Sequence, residues 1–162
     1  MPLLVGQHTN RIDRKGRVSV PKQFRDFYLA KGGFAGVYVY RSPIVDAVEG
    51  CDEQFMERVA ASLDDLALFS ADQNDLATVI LGSAHALPFD PEGRIVLPAE
   101  LVEHARLDTE ATFVGRGNTF QVWNPEAYRS RHGEAFARVR DQVVELCRRF
   151  PVYGAVPAQK VT

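Results

Sequence analysis

The chain has 162 residues, of which 46% are hydrophobic and 25% are charged, and its formal net charge is -2. These values are typical of a globular protein and allow one or two units with apolar cores. No stretch approaches the roughly 20 consecutive apolar residues of a membrane helix, and no basic-then-apolar signal segment opens the chain. The two cysteines, Cys51 and Cys147, are far apart, so we expect no disulfide framework, no zinc site and a reducing cytoplasm.

The charges are distributed unevenly along the chain. The net charge is +5 over residues 1–31, -11 over residues 32–110 and +4 over residues 111–162. A polyanion responds to the local field, because the potential of exposed charges decays over about 8–10 Å in physiological salt. The basic N-terminal segment is therefore either a contact for nucleic acid or an ordinary solvated surface, and charge alone does not separate the two.

An internal repeat links the two halves of the chain. Residues 13–21 (DRKGRVSVP) match residues 90–98 (DPEGRIVLP), 77 positions later. A looser match places residues 38–43 over residues 120–125, which increases the offset to 82. Two matching segments in the same order indicate a duplicated unit. Four positions are identical in the first match: Asp13 and Asp90, Gly16 and Gly93, Arg17 and Arg94, and Pro21 and Pro98.

Each half predicts the same order of elements. A strand leads into a turn, in which an aspartate can accept backbone N–H bonds and a glycine can take a positive φ. An alternating strand follows, and a proline then suits the first position of a helix. The predicted strands are 9–12, 17–20 and 36–40 in the first half and 86–89, 94–97, 112–115 and 119–123 in the second, with helices at 22–30 and 99–104.

Helices are predicted between the halves and after them. Helical spacing predicts a helix over 52–63, and Ser70 with Gln73 forms a capping box for another over 71–81. The C-terminal helix, 132–150, has an apolar stripe that must be buried on something. The short tail after it has two prolines and is expected to be poorly ordered. The stripe consists of Phe136, Val139, Val143, Leu146, Cys147 and Phe150.

The two D-x-x-G-R segments give the chain a resemblance to the MraZ family. The first copy is carried by residues 10–25 and the second by residues 82–84 and 90–98, with 114–118 and 122–125 also similar. This resemblance implies an α+β fold with two tandem AbrB-like swapped-hairpin units that form a pseudo-twofold barrel. The domains expected on this basis are a first unit (1–50), a helical connector (51–83), a second unit (84–130), and a C-terminal helix with its tail (131–162).

The resemblance also implies a function. Family members bind repeated short DNA elements ahead of a cell-division and cell-wall gene cluster, assemble into rings and lie on the nucleoid. The expected partners are therefore double-stranded DNA and further copies of the chain, with no membrane, no small-molecule substrate and no cofactor. One departure is the segment 72–75 (DQND), which is acidic where family members often have basic residues.

The first turn supplies the strongest candidates for DNA contact. Arg14, Lys15 and Arg17 place three cations on one tight loop, and long cations suit both phosphate contacts and guanine edges. Arg17 has a second interpretation as a structural partner of Asp13, because it recurs in the other copy. Lys22 and Arg25 open the following helix and can reach the DNA backbone, although Arg25 equally suits a surface ion pair.

The second turn has a different charge. Glu92 stands where Lys15 stands in the first copy, and a carboxylate repels phosphate. The second copy is therefore expected to serve assembly or core pairing. Its structural turn residues are predicted to be Asp90, Gly93 and Arg94, corresponding to Asp13 and Gly16 in the first copy.

No enzymatic motif is present in the sequence. The four histidines, at positions 8, 85, 104 and 132, lack metal-ligand spacing, and neither a nucleophile elbow nor a phosphate-binding glycine loop occurs. We therefore expect no enzyme and no metal. Two other classes stay open: a ring-forming scaffold that does not bind DNA, and an AbrB-like antitoxin.

Overall fold

The computed structural model describes residues 3–150 and contains eight strands and five α-helices in that range. The strands are β1 (Gln7–Arg11), β2 (Arg17–Ser19), β3 (Gly36–Arg41), β4 (Val48–Cys51), β5 (His85–Pro88), β6 (Arg94–Val96), β7 (Glu110–Gly115) and β8 (Phe120–Trp123). The helices are α1 (Lys22–Ala30), α2 (Glu53–Asp64), α3 (Ala71–Leu76), α4 (Ala99–His104) and α5 (Pro125–Arg149), and a π-helical turn covers Ala77–Leu81.

The strands of the two halves alternate in space. Six of them form an antiparallel sheet in the order β1-β7-β8-β4-β3-β5, and β2 pairs with β6 in a separate two-stranded ribbon. Exchanging the two halves leaves this order unchanged, because β1 lies beside β7 just as β5 lies beside β3, and β4 pairs with β8 at the centre. Each half therefore supplies the edge strand of the other.

The fold is mixed α and β, as predicted, but closure into a barrel is not confirmed. The six-stranded sheet is open and has two edges, β1 and β5. The ribbon of β2 and β6 lies outside its hydrogen-bonded order.

The core is shared by both halves. Phe24 of α1 packs against Phe113 of β7 and Phe120 of β8, with ring centroids 6.5 and 5.8 Å apart. Val18 and Ile95, which are opposite each other in the ribbon, are both buried. Because the largest buried aromatic rings come from both halves of the sequence, neither half encloses its own core.

Two helices have the predicted bounds, and one strand was missed. Helices α1 and α4 begin and end at the predicted residues. The missed strand is β4, whose sequence is VEGC. Gly50 has low strand propensity, but a Cβ at this position would lie 2.2 Å from the Phe120 ring, so the strand accepts glycine to let that ring approach.

The looser repeat match, which placed residues 38–43 over residues 120–125, was wrong. Sheet pairing makes β7, not β8, the counterpart of β3, because each lies beside the edge strand of the other half. The counterpart of β8 is the missed strand β4. The two sequences resembled each other only as apolar strands that end near a proline.

The connector contains α2, α3 and the π-helical turn. The capping box is confirmed, since Ser70 Oγ accepts from the Gln73 N–H at 3.1 Å. The predicted helix over 71–81 changes at Ala77 from α to π geometry. Phe69, just before the cap, has φ +61 and is 95% exposed.

The described chain divides into two compact units. The first extends to Pro125, and the second starts at Glu126 and contains nearly all of α5. Helix α5 starts earlier than predicted, at Pro125, where proline suits the first helical position. The predicted boundaries within the first unit stay a prediction, and the predicted tail lies outside the described residues.

The exchange of edge strands makes the second half dependent on the first. Residues 84–130 expressed alone lose the partners of β5, β6 and one side of β7. We expect this fragment to show no cooperative thermal unfolding by circular dichroism, whereas residues 1–130 should unfold cooperatively. A soluble fragment with its own sharp transition would contradict the shared core.

Candidate nucleic-acid interface

The first turn is organised around the Asp13 carboxylate. Its Oδ1 accepts from the backbone N–H groups of Lys15 and Arg17, both at 2.9 Å, and its Oδ2 accepts from Nε of Arg17 at 2.6 Å. The Gly16 N–H donates to the Asp13 carbonyl at 3.0 Å, and Gly16 has φ +81. The side chain of residue 13 thus fixes the backbone of the next four residues.

These bonds favour the ionised carboxylate. The backbone N–H of Arg17 is the largest cause that lowers the pKa of Asp13, and the guanidinium of Arg17 and the N–H of Lys15 add to it. A lowered pKa in the folded state contributes stability above the unfolded pKa, and this contribution is lost as the pH falls through the folded value. The turn is therefore intact at neutral pH and weakens in acid.

The second turn has the same geometry without the same charge. Asp90 Oδ1 accepts from the N–H groups of Glu92 and Arg94 at 2.9 and 2.8 Å, and Nε of Arg94 donates to Oδ2 at 2.8 Å. Gly93 has φ +77. The predicted structural turn residues thus form one hydrogen-bonded arrangement in each half. Arg94 donates to Asp90 as Arg17 donates to Asp13, although only the first turn is predicted to contact DNA. The bond therefore has a structural role in both halves.

Each turn also completes the strand of the other half. The Gly16 carbonyl accepts from the Leu97 N–H at 2.9 Å, and the Gly93 carbonyl accepts from the Val20 N–H at 3.1 Å. Because β2 and β6 run antiparallel, the two turns lie at opposite ends of the ribbon. Their separation is on the order of 10 Å, at about 3.4 Å per residue.

Two cations of the first turn are available to a ligand. Arg14 and Lys15 are exposed, and neither side chain pairs with a carboxylate within residues 3–150. Arg17 is 34% exposed and is engaged with Asp13. The turn therefore presents two free cations on a backbone that the third one stabilises.

Lys22 and Arg25 lie at the other end of the ribbon. Lys22 pairs with Asp26 at 3.0 Å on the exposed face of α1. The Arg25 guanidinium lies over Gly93, where a Cβ would fall 1.8 Å from Nη1. The five predicted DNA-contacting cations are therefore not brought together, because strand exchange places the start of α1 beside the second turn.

An open groove borders the first turn and includes residues from the second half. Among its lining residues are Pro98 and Val102, with Arg106 at the rim. Arg106 has φ +53 and pairs with Asp46 at 2.9 Å. Sequence reasoning missed Arg106, since about 90 residues separate it from the turn and only the fold brings them to one groove.

Comparison with known proteins assigns the chain to a family. A regulator of Parvibaculum lavamentivorans is 43% identical over 136 residues, 83% of each chain, and one of Pelagibacter ubique is 40% identical over 78% of this chain and 81% of its own. One of Gluconobacter oxydans is 41% identical over 86% and 87%. All three are named "Transcriptional regulator MraZ". The chain belongs to the MraZ family.

The family model matches residues 80–140 under the description "MraZ protein, putative antitoxin-like". In the first half, the resemblance to MraZ proteins is carried by the first turn, which lies outside that match. Within residues 3–150, no helix has the length and apolar content that a membrane crossing requires.

Other reactive groups of the described residues give no second chemical site. Residues 3–150 contain no group of three potential metal ligands. Burial raises the pKa of the Cys51 thiol to about 12, which favours the neutral thiol over the nucleophilic thiolate. His85 and Arg41 both contact Glu100, which ties α4 to the sheet.

The equal bonding of the two arginines predicts equal structural effects. Arg17→Ala and Arg94→Ala should each lower the thermal midpoint by a similar amount, because each removes the guanidinium bond to the turn aspartate and leaves the backbone N–H bonds in place. Lys15→Ala should leave the midpoint unchanged, since the Lys15 side chain pairs with no carboxylate within residues 3–150. Differential scanning calorimetry at pH 7 provides the test, and a drop confined to one arginine would refute the equivalence of the turns.

Proposed function

We propose that this protein is a sequence-specific DNA-binding transcription regulator that contacts DNA through its first turn. The observation that carries the proposal is the pair of exposed, unpaired cations, Arg14 and Lys15, on a turn held by Asp13. The regulator names of its MraZ relatives support this function.

A rigid turn suits DNA contact for an energetic reason. Ordering a flexible loop on binding costs conformational entropy, whereas this turn is already held by two backbone bonds and one side-chain bond to the Asp13 carboxylate. Lys15 and Arg14 then place their charges on phosphates or guanine edges, and a narrow β-turn can enter the major groove. Arg17 acts mainly through the turn geometry and reaches DNA only with the part of its guanidinium that Asp13 does not occupy.

The second turn is proposed not to bind DNA in the same way. Glu92 is highly exposed and pairs weakly with Arg94 at 3.5 Å, so it would face phosphate as an uncompensated carboxylate. Lys22 and Arg25 lie at this end. We propose that they contact only a backbone phosphate beyond the segment held by the first turn.

The targets and the assembly follow from the family resemblance. We propose that the DNA elements are repeated ahead of a cell-division and cell-wall gene cluster, and that the protein acts in the cytoplasm on the nucleoid. A pseudo-twofold unit assembled into a closed ring would present several first turns at once. Two free cations neutralise few phosphates, so several turns on one assembly raise the affinity by avidity.

The antitoxin function is a second candidate, because the family model carries the description "putative antitoxin-like". An antitoxin needs a toxic protein partner, whereas a regulator of its own operator does not. Co-purification of the chromosomally tagged protein separates the two. A stoichiometric partner whose expression arrests growth without this chain would favour the antitoxin.

DNA affinity tests the role of the turn. DNA selected from a random pool by the parent protein, joined as one, two and four copies, should bind tightly only as repeats. Lys15→Ala and Arg14→Ala should each weaken four-copy binding by more than the roughly 5- to 150-fold of a single lost contact of about 1–3 kcal/mol, because the loss recurs in every bound subunit. The salt slope should fall by about 0.9 for each lost phosphate contact.

Glu92→Ala is the matched control at the equivalent position of the second turn, and it should bind unchanged or slightly tighter. Oligomer mass is measured for every variant. If Lys15→Ala and Arg14→Ala stay assembled and bind like the parent, the first turn is not the contact. If the parent selects no sequence and binds no DNA, a scaffold without DNA binding is the better account.

A further inference from the structure

Helix α5 has a stripe of large apolar side chains that are exposed. Its members are half exposed or more, from 50% for Val143 to 62% for Phe136. They recur at alternating spacings of three and four residues, so they lie on one face of the helix. Five of the six predicted side chains therefore form an accessible surface, whereas Cys147 is half-buried. The five are Phe136, Val139, Val143, Leu146 and, directly after the end of α5, Phe150.

The charges of α5 are ordered around that stripe. At 100° per residue, Arg129 and Arg140 lie along one side of it, and Arg131, Arg138 and Arg149 lie along the other. The carboxylates Glu134, Asp141 and Glu145 fall on the opposite face together with Arg148, which pairs with Glu145. An apolar stripe with arginines on both sides fits an apolar groove that has carboxylates on its rim.

A largely apolar groove with one carboxylate in its lining, Asp64, lies on the connector. It runs between α2 and the segment that contains α3 and the π-helical turn, and its lining includes Leu63, Asp64, Phe69, Ala77 and Leu81. Residues 52–82 contain seven carboxylates and one arginine. From the acidic segment 72–75, the neutral residues Gln73 and Asn74 line the groove.

Phe69 is the least expected side chain of the groove. It is 95% exposed, although it is a large aromatic residue, and its φ of +61 is unusual for a residue with a bulky side chain. The Gln73 side chain accepts from its N–H at 3.2 Å and helps to hold this conformation. A strained backbone that presents an aromatic ring to solvent points to a contact, because aromatic anchors dominate protein interfaces.

We propose that α5 of one copy docks in the connector groove of a second copy. The stripe from Phe136 to Phe150 extends about 21 Å and the 12 residues of α2 extend about 18 Å, at 1.5 Å per residue. Each copy then inserts its α5 into the groove of one neighbour and accepts the α5 of another neighbour in its own groove. This head-to-tail contact closes into a ring when the rotation allows, and it rests on the self-assembly proposed above.

Pairing of α5 with α5 fits these observations less well. The stripe covers about two heptads, whereas a coiled coil needs three or four. Arginines flank the stripe on both sides, so two such helices would bring like charges together. The connector groove offers the Asp64 carboxylate instead, in a segment that is acidic overall.

Oligomer mass in the absence of DNA tests the proposal. Phe69→Asp alters the groove at an exposed position, and aspartate tolerates a positive φ better than phenylalanine does. Val143→Asp alters the helix stripe. Each variant alone should have the 18.0 kDa mass of one chain in sedimentation equilibrium, with its thermal midpoint retained. Leu29→Asp, at an exposed apolar position of α1, is the control and should assemble like the parent.

Mixing the two variants makes the test specific. The Phe69→Asp chain still has an intact helix, and the Val143→Asp chain still has an intact groove, so equal amounts should form a 1:1 dimer and nothing larger. A Phe69→Asp chain that assembles like the parent would overturn the groove contact while leaving self-assembly intact. A monomeric parent would overturn both, and DNA selection by the first turn would be unaffected by either result.

Discussion

The structure depends on one aspartate carboxylate in each half, which accepts hydrogen bonds from the other residues of its turn. Asp13 and Asp90 each hold two backbone N–H groups and one arginine, and each brings a glycine carbonyl to the strand of the other half. A hydrogen bond to an ionised carboxylate is stronger than one between neutral groups, so these short loops are rigid without an apolar core of their own. The ribbon of β2 and β6 exists because both turns hold their shape.

The shared scaffold leaves the two surfaces free to differ. The bonds that form a turn use the aspartate and arginine side chains and the backbone N–H groups of the residues between them, so the side chains at the second and third positions are not needed to hold either turn. Those positions are Arg14 and Lys15 at one end and Pro91 and Glu92 at the other. The difference in proposed function between the two ends is a difference of these side chains alone.

Local patterns were predictable from the sequence, and long-range placement was not. The aspartate turns, the bounds of α1 and the Ser70 cap follow from neighbouring residues, so their chemistry is visible in the sequence. Strand β4 was missed because glycine at position 50 makes room for the ring of Phe120, a residue of the other half. Arg25 was grouped with the residues of the first turn, because the sequence does not show the exchange of strands that places its guanidinium over Gly93. The predicted DNA contacts at Arg14 and Lys15 are a proposal that the geometry supports.

The claim that DNA is held at the first turn can be tested on the chain's own lysines. The sequence contains four lysines, at positions 15, 22, 31 and 160, and two of them mark opposite ends of the ribbon. Acetylation of the native protein with and without bound DNA, read by mass spectrometry, reports the protection of each lysine. Strong protection of Lys15, with only weak protection of Lys22, is the result that our account predicts. Protection of Lys22 while Lys15 stays fully reactive would contradict it.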